Sequence, residues 1–206
     1  MARCTWAQPV DRGGAPPVGH NPRVGPLLVI SGPPGAGKST VARIVADRLE
    51  PSVLVEDDSF FAFLARGAIA PWLPQADAQN AIVTQAAAAA AGRYAAGGYA
   101  TAYDGVVGPW FLPTFATATG LDRIDYVILL PSVDRCVERV RSRQDHGFTD
   151  PAAARLMHDA FARADIDRRH LLTDPPDDPH EVADVVLAAL AGGRLGYTRG
   201  HQDELR

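Results

Sequence analysis

Apolar runs alternate with amphipathic segments from Pro26 onward, and this alternation predicts the fold. Continuous apolar runs are typical of strands that are covered on both faces, and apolar residues spaced three and four apart are typical of helices. The predicted strands lie at residues 27–30, 52–56, 99–103 and 125–130, with a weaker one at 169–173. The predicted helices lie at residues 39–49, 58–65, 78–96, 110–117, 132–143 and 179–191, with one more that begins at Asp150 and Pro151.

Strands that alternate with helices of this length predict an α/β fold, a five-stranded parallel sheet with helices on both faces. No polar linker interrupts the pattern, so residues 26–192 are predicted to form one domain. Residues 1–25 are rich in Pro and Gly without periodicity and are predicted to be a flexible N-terminal tail. Residues 193–206 are polar and are predicted to be a C-terminal tail.

Composition narrows the class of protein. A hydrophobic content of 47% and a charged content of 21% are ordinary for a globular chain of 206 residues. The formal net charge of -4 argues against a sequence-independent nucleic-acid partner, which would need a basic face. The two cysteines have no metal-binding spacing, and no apolar stretch is long enough for a signal peptide or a membrane span. We therefore expect a cytoplasmic protein without a membrane partner.

A phosphate-binding motif follows the first predicted strand and opens the first helix. Residues 32–39 match the pattern G-x-x-x-x-G-K-[ST], or Walker A motif, at every fixed position. Its amide N–H groups and the helix N-terminus suit a polyphosphate, Lys38 suits the β and γ phosphates, and the Ser39 hydroxyl suits Mg²⁺. Lys38 is the only lysine in the chain. The predicted nucleotide-binding residues here are Gly32, Pro33, Pro34, Gly35, Ala36, Gly37, Lys38, Ser39 and Thr40.

Acidic residues end the second and third predicted strands, at the edge of a parallel sheet where ligands gather. Glu56, Asp57 and Asp58 follow one another, and alternation would point Glu56 and Asp58 the same way if the strand continues. We expect Asp58 to be the general base and Glu56 or Asp57 to lie on the magnesium side. Asp57 and Asp58 would also serve as caps of the following helix. Asp104 ends the third strand and is predicted to hold magnesium through water, as a Walker B acid does; its alternative is an ordinary Asp-Gly turn.

With these motifs the chain resembles the small P-loop kinases of the nucleoside-monophosphate-kinase-like group, such as shikimate kinase, gluconate kinase and chloramphenicol phosphotransferase. The resemblance covers about residues 26–191 and implies a three-layer P-loop NTPase fold, ATP and Mg²⁺. The stretch from Val55 to Phe60 is similar to the strand-end segment of chloramphenicol phosphotransferase that carries the proposed base, which maps onto Asp58. The acid pair of shikimate kinase maps onto Glu56 and Asp58, with Glu in the first place.

The resemblance also implies an arginine-bearing lid over the triphosphate. Arg139 and Arg143 lie at i and i+4 on one predicted helix face, ahead of the lid-like residues 144–148. Guanidinium groups bind phosphate oxygens in pairs and stabilise transferring charge, so both arginines are predicted to be catalytic. The alternative is a solvated helix edge. By its position before the last helix, Thr173 is predicted to contact the adenine base.

The acceptor side is less defined by the sequence. Phe61, Arg66 and Trp110 lie on segments that would cover a small-molecule acceptor, alongside Asp58. The aromatic residues would either stack on a ring or fill core, and the arginine would suit an acidic acceptor. The chain lacks the Asn-Lys-x-Asp motif of a GTPase, because Lys38 is its sole lysine.

The expected function is therefore an ATP-dependent phosphotransferase that acts on a hydroxyl of a sugar, antibiotic or similar metabolite. A nucleoside or nucleotide kinase, and a partner-dependent ATPase without an acceptor, remain alternatives. Both a monomer and a homodimer fit the sequence.

Overall fold

The computed structural model describes residues 24–142 and 150–198. Within these residues the strands are β1 (Leu27–Ser31), β2 (Ser52–Glu56), β3 (Ala100–Asp104), β4 (Arg123–Leu130), β5 (Leu171–Thr173) and β6 (Gly196–Thr198). The helices are α1 (Lys38–Asp47), α2 (Asp57–Phe61), α3 (Asp77–Ala96), α4 (Leu112–Thr119), α5 (Val133–Ser142), α6 (Pro151–Arg163) and α7 (Pro179–Ala191). Short 3₁₀ turns at Pro74–Ala76 and Arg168–His170 precede α3 and β5. None of the described helices has both the length and the apolar character that crossing a membrane requires.

The sheet has the strand order β2-β3-β1-β4-β5, and all four of these pairings are parallel. This confirms the predicted α/β fold with helices on both faces. A sixth strand, β6, adds to the five predicted and pairs antiparallel with β4, with Tyr197 opposite Ile124. It lies inside the segment predicted to be a polar tail, because three residues are too few to show strand alternation.

Two hydrophobic layers cover the two faces of the sheet. Alternate residues of β1 face opposite ways: Leu27 and Val29 pack with α3 and α4, while Leu28 and Ile30 pack with α1 and α7. Each layer is built from buried residues of the helices that cross over between parallel strands. The carboxyl ends of β1, β2 and β3 therefore meet at one edge, where α1, α2 and the loop before α4 begin.

Several elements begin or end differently from the sequence-based prediction. Helix α2 stops at Phe61 rather than at residue 65, because the next amides bond three residues back, from Phe63 to Phe60 and from Leu64 to Phe61. Helix α4 begins two residues later than predicted, at Leu112. The predicted cap of α6 is confirmed, since the Asp150 carboxylate accepts hydrogen bonds from the amides of Ala152 and Ala153.

The alanine-rich helix α3 packs unusually close to α4. Its buried face consists of small residues, among them Ala88, Ala91, Gly92 and Ala95. A β-carbon at Gly92 would lie 1.9 Å from the carbonyl oxygen of Thr119, so only glycine fits at this crossing.

We predict that Gly92→Ala destabilises the protein although alanine favours a helix by about 1 kcal/mol. The added methyl group has to separate α3 from α4, and such overpacking costs about 1–3 kcal/mol or more. Urea unfolding should show a net loss of stability. The matched control is Ala89→Gly, at an exposed position of the same helix, which measures the propensity effect alone. A Gly92→Ala variant more stable than the wild type would contradict the close contact.

Candidate active site

The phosphate-binding loop joins β1 to α1 and is held by backbone contacts on two sides. A β-carbon at Gly32 would lie 2.3 Å from the carbonyl oxygen of Leu129, at the end of β4. A β-carbon at Gly35 would lie 2.2 Å from the carbonyl oxygen of Cys136, in α5. Gly35 also has a φ angle of 83°, which side-chain-bearing residues rarely adopt. The glycines therefore fix the loop against β4 and α5.

Two cationic side chains lie over this loop. Lys38 Nζ donates a hydrogen bond to the carbonyl oxygen of Pro33 at 3.1 Å. Arg139, on α5, donates from Nη1 to the carbonyl oxygen of Gly35 at 3.3 Å. The structure thus brings Arg139, one of the two predicted lid arginines, to the loop. Arg143 and the lid-like residues 144–148 lie outside the described residues.

Ser39 and Asp104 meet at the carboxyl end of β3. The Ser39 hydroxyl lies close to the Asp104 carboxylate, which is largely buried. Burial raises the pKa of Asp104, while the Lys38 ammonium and the Ser39 hydroxyl oppose that rise. Glu56 lies beside Asp104 in the sheet register, but its carboxylate pairs with Arg43 of α1 at 2.6 Å. Of the three predicted metal ligands, Ser39 and Asp104 are in contact and Glu56 is engaged elsewhere.

These residues fit a magnesium ion that is bound mainly by substrate. No cluster of three or more acidic, histidine or cysteine side chains within residues 24–142 and 150–198 could hold a metal ion by itself. Mg²⁺ usually keeps several waters and takes one or two protein ligands together with phosphate oxygens. A hydroxyl and a carboxylate beside the phosphate-binding loop match that donor set.

Asp57 is the acid that sequence reasoning undervalued. It is 5% exposed and lies beside the Tyr103 hydroxyl, on the α3 side of the sheet. Burial raises the pKa of its carboxyl to about 7; Asp58 and Asp104 add to the rise, whereas Tyr103 and Lys38 oppose it. Among the described residues, Asp57 Oδ1 has no hydrogen-bond partner of ordinary geometry. A strand-end acid followed by a helix start was the only signal in the sequence.

Asp58 occupies a different position from the one that strand alternation predicted. Strand β2 ends at Glu56 and α2 begins at Asp57, so Glu56 and Asp58 do not share a strand face. Asp58 is exposed in the first turn of α2. It remains close enough to raise the pKa of Asp57 and of Asp104, so the three acids share one electrostatic environment.

A buried network fixes the loop that follows Asp104. The Ser31 hydroxyl donates to the carbonyl oxygen of Val107 at 2.8 Å and accepts from the Val107 amide at 3.0 Å. The Tyr126 hydroxyl, on β4, donates to the same carbonyl oxygen at 2.5 Å. Ser31 directly precedes Gly32, so one side chain holds the start of the phosphate-binding loop and the loop that leads to Trp110.

A cavity of about 360 Å³ lies between the phosphate-binding loop, α5 and the start of α7. Thr40 and Arg139, both predicted to bind the nucleotide, line it. Thr173 does not: β5 ends there, and the next turn, with Asp174 at a φ of 47°, presents Pro175, Pro176 and Asp177 to the cavity instead. A larger depression of about 500 Å³ is lined by α5 and α6 alone, so it is not part of this site.

Arg135 attaches that turn to α5. Its guanidinium group donates to the carbonyl oxygen of Pro175 at 3.3 Å and pairs with the Asp177 carboxylate. The sequence counted Arg135 only among the arginines of the lid helix, because the contact joins residues 40 positions apart.

The predicted acceptor residues lie at the same edge of the sheet. Phe61 is partly buried at the end of α2, and Arg66 is exposed in the following turn. Trp110 is 60% exposed, and its ring packs against Phe161 of α6 with centroids 5.3 Å apart.

Comparisons with known proteins agree with this geometry. A family model described as an AAA domain matches residues 27–164. No curated protein matches the sequence.

The solved structures that share the fold include three small-molecule kinases. The chain is similar to a sugar kinase from Janibacter sp. HTCC2649, with 19% identity, a TM-score of 0.63, and coverage of 81% of this chain and 95% of that chain. It is similar to APS kinase from Mycobacterium tuberculosis, with 18% identity, a TM-score of 0.61, and coverage of 82% and 99%. It is also similar to shikimate kinase from Acinetobacter baumannii, with 18% identity, a TM-score of 0.57, and coverage of 84% and 97%. The predicted resemblance to small P-loop kinases is confirmed.

We predict that Asp57→Asn changes how stability depends on pH. The folded protein holds the Asp57 proton more tightly than the unfolded chain does, with a pKa of about 7 against 3.8. The stability from this group is therefore complete below pH 3.8 and is lost as the pH rises to about 7. Relative to the variant, the wild type should lose up to about 4 kcal/mol across that range. Urea unfolding without nucleotide measures the difference, and a difference that is constant with pH would contradict the raised pKa.

We predict that Ser31→Ala destabilises the protein more than Tyr126→Phe. The first change removes both hydrogen bonds to Val107 and leaves a buried amide unpaired, which costs about 1–3 kcal/mol. The second removes the Tyr126 hydroxyl, and the Val107 carbonyl keeps its hydrogen bond from Ser31. Thermal unfolding of the two variants checks the order, and a larger loss for Tyr126→Phe would show that Ser31 does not fix this loop.

Proposed function

The chain belongs to the AAA domain family, and we propose that it is a phosphotransferase that moves the γ-phosphoryl group of ATP to a hydroxyl of a small molecule. One observation carries the proposal. Lys38, the Ser39–Asp104 pair, and the acids Asp57 and Asp58 share one electrostatic environment at one edge of the sheet. Such an edge combines a place for phosphate with carboxylates for metal and acceptor.

The loop binds the triphosphate in this proposal. The amide N–H groups of residues 32–39 and the N-terminus of α1 bind phosphate oxygens, and Lys38 neutralises charge on the β and γ phosphates. Arg139 contacts the loop from α5 and stabilises charge during transfer. Arg143, four residues further on, is proposed for the same role. The cavity beside Thr40 and Pro175 takes the nucleoside end.

Ser39 and Asp104 would hold Mg²⁺, directly and through water. The ion supplies neutralisation of phosphate charge when it is bound. The hydroxyl and the carboxylate lie close to each other and to the Lys38 ammonium.

Asp58 is proposed as the general base. It is exposed at the start of α2, so an acceptor hydroxyl can reach it, whereas Asp57 is buried behind it. The Asp58 carboxylate accepts the hydroxyl proton as the acceptor oxygen attacks the γ-phosphorus, and the bond from that phosphorus to the leaving ADP oxygen breaks. Positioning and charge stabilisation supply most of the remaining rate enhancement.

The comparisons support a small-molecule acceptor, since the similar structures are named as a sugar kinase, an APS kinase and a shikimate kinase. The net charge of -4 favours a small molecule over a nucleic acid. The same kinase names and the fit of Ser39 and Asp104 support ATP and Mg²⁺ as the natural cosubstrate and metal.

The test is transfer of label from [γ-³²P]ATP to a panel of sugars, amino alcohols, aromatic alcohols and nucleosides. We expect one class to become labelled, and Asp58→Asn to lower kcat by about 10²–10⁴-fold because the base is lost. Lys38→Ala should lower labelling at least as strongly through weaker phosphate binding. Asp47→Asn, at an exposed carboxylate at the end of α1, is the control and should keep wild-type transfer.

Full transfer activity in Asp58→Asn would rule out the proposed base. Rapid hydrolysis of ATP that no acceptor redirects would instead favour an ATPase, the alternative function.

A further inference from the structure

Exposed apolar side chains concentrate on the acceptor side of the proposed site. Ten large hydrophobic residues are exposed in the part of the chain that the structure describes. Six of them lie within residues 62–82 and 105–111, which follow the acidic ends of β2 and β3: Phe63, Trp72, Leu73, Ile82, Val106 and Trp110. Because β2 and β3 are neighbours in the sheet, both segments begin at the same edge.

The first of these segments is fixed in place. The Gln79 side chain makes two hydrogen bonds to the backbone of Ile69, from the Ile69 amide to Oε1 at 2.8 Å and from Nε2 to the Ile69 carbonyl at 2.7 Å. Asn80 donates to the carbonyl oxygen of Pro71 at 2.7 Å. The chain that carries Trp72 and Leu73 is thus held onto the first turns of α3. Exposed apolar groups on a fixed backbone are typical of a binding surface, because little entropy is lost when a ligand covers them.

Trp110 is held in a similar way on the second segment. Its ring folds back over Gly108, where a β-carbon would lie 2.2 Å from a ring atom, and packs against the buried Phe161. It is nevertheless 60% exposed. Trp110 lies six residues after Asp104, in the loop whose Val107 is hydrogen-bonded by Ser31 and Tyr126.

Acidic side chains outnumber basic ones on the acceptor side, and this balance favours acceptors without negative charge. Within 57–92 and 105–122, all of them described residues, Arg66 is the only basic residue, and it is exposed. The acidic residues there are Asp57, Asp58, Asp77 and Asp122, of which Asp122 directly precedes β4, at the opposite edge of the sheet. Charge-assisted hydrogen bonds from Arg or Lys are the strong side-chain contacts to a carboxylate, sulfate or phosphate. The acceptor side of these ranges therefore offers one such residue against three acids, Asp57, Asp58 and Asp77.

We propose that the acceptor is a neutral or cationic hydroxyl compound with a largely apolar body. This inference rests on the proposed phosphotransferase function and names the class of its second substrate. The apolar body lies against Trp110, Phe63 and the fixed segment around Trp72, and the hydroxyl extends to Asp58. Anionic acceptors such as hydroxy acids and nucleoside monophosphates are disfavoured by the local excess of carboxylates.

The experiment compares kcat/KM for transfer from [γ-³²P]ATP to four classes of probe at equal concentration. The classes are phenyl-substituted neutral alcohols, phenyl-substituted amino alcohols, neutral sugars, and anionic hydroxy acids with nucleoside monophosphates. We expect kcat/KM for one of the two phenyl-substituted classes to exceed that for the sugars and the anions by about tenfold or more, because burying a ring in an apolar pocket stabilises the complex.

Variants localise the preference. Trp110→Ala should raise the KM of the best probe by about tenfold with a smaller change in kcat, and Trp110→Phe should restore most of that loss because the ring contact is kept. Val185→Ala is the matched control, since Val185 is also exposed but lies on α7, on the other face of the sheet. It should leave the KM of the probe unchanged.

The outcomes separate the two proposals. Transfer that favours sugars or anionic acceptors would overturn the inference and leave the phosphotransferase function standing. Equal KM values for the best probe in the wild type and Trp110→Ala would also overturn it. ATP hydrolysis without transfer to any class would overturn the function itself, and the inference with it.

Discussion

The site depends on two contacts in which the phosphate-binding loop touches other backbone directly. At Gly32 the neighbour is the end of β4, and at Gly35 it is the α5 backbone at Cys136. No side chain fits between these surfaces, so the loop cannot shift without moving the helix that carries Arg135 and Arg139. The same contact thereby sets the positions of the two guanidinium groups, Arg139 at the loop and Arg135 at the Pro175 carbonyl. Close packing of this kind transmits displacement rather than absorbing it.

The acidic residues at the ends of β2 and β3 lie on opposite faces of the sheet. Asp104 lies with Ser39 and Lys38 on the side of α1, where the nucleotide is proposed to bind. Asp57 lies with Tyr103 on the side of α3, near the segments 62–82 and 105–111 that carry exposed apolar side chains. The strand stops between Glu56 and Asp57, and this change from strand to helix turns consecutive acids toward different surroundings. Three carboxylates can therefore differ in burial although they are adjacent in the chain.

The features that could be predicted from the sequence are those that depend on local patterns of residues. The bounds of β2 and α7, the loop at residues 32–39 and the cap at Asp150 all follow from apolar spacing or short motifs. Strand β6 was missed because its three residues form a strand only through pairing with β4. The burial of Asp57 was missed for a related reason: it depends on Tyr103, which is distant in sequence. Thr173 was predicted to contact the adenine base but does not line the cavity, and the positive φ at Asp174, where the chain turns, leaves no mark in the hydrophobic pattern.

The lone lysine has a practical consequence. Lys38 carries the only ε-amine in the chain, and that amine lies at the carbonyl oxygen of Pro33, inside the phosphate cradle. An acylating reagent can therefore modify a single side chain of this type, and a bound polyphosphate would shield it. Selective ¹⁵N labelling of lysine would likewise give one side-chain resonance. Lys38 can therefore report whether the phosphate-binding loop is occupied, without a substitution that introduces a reporter residue.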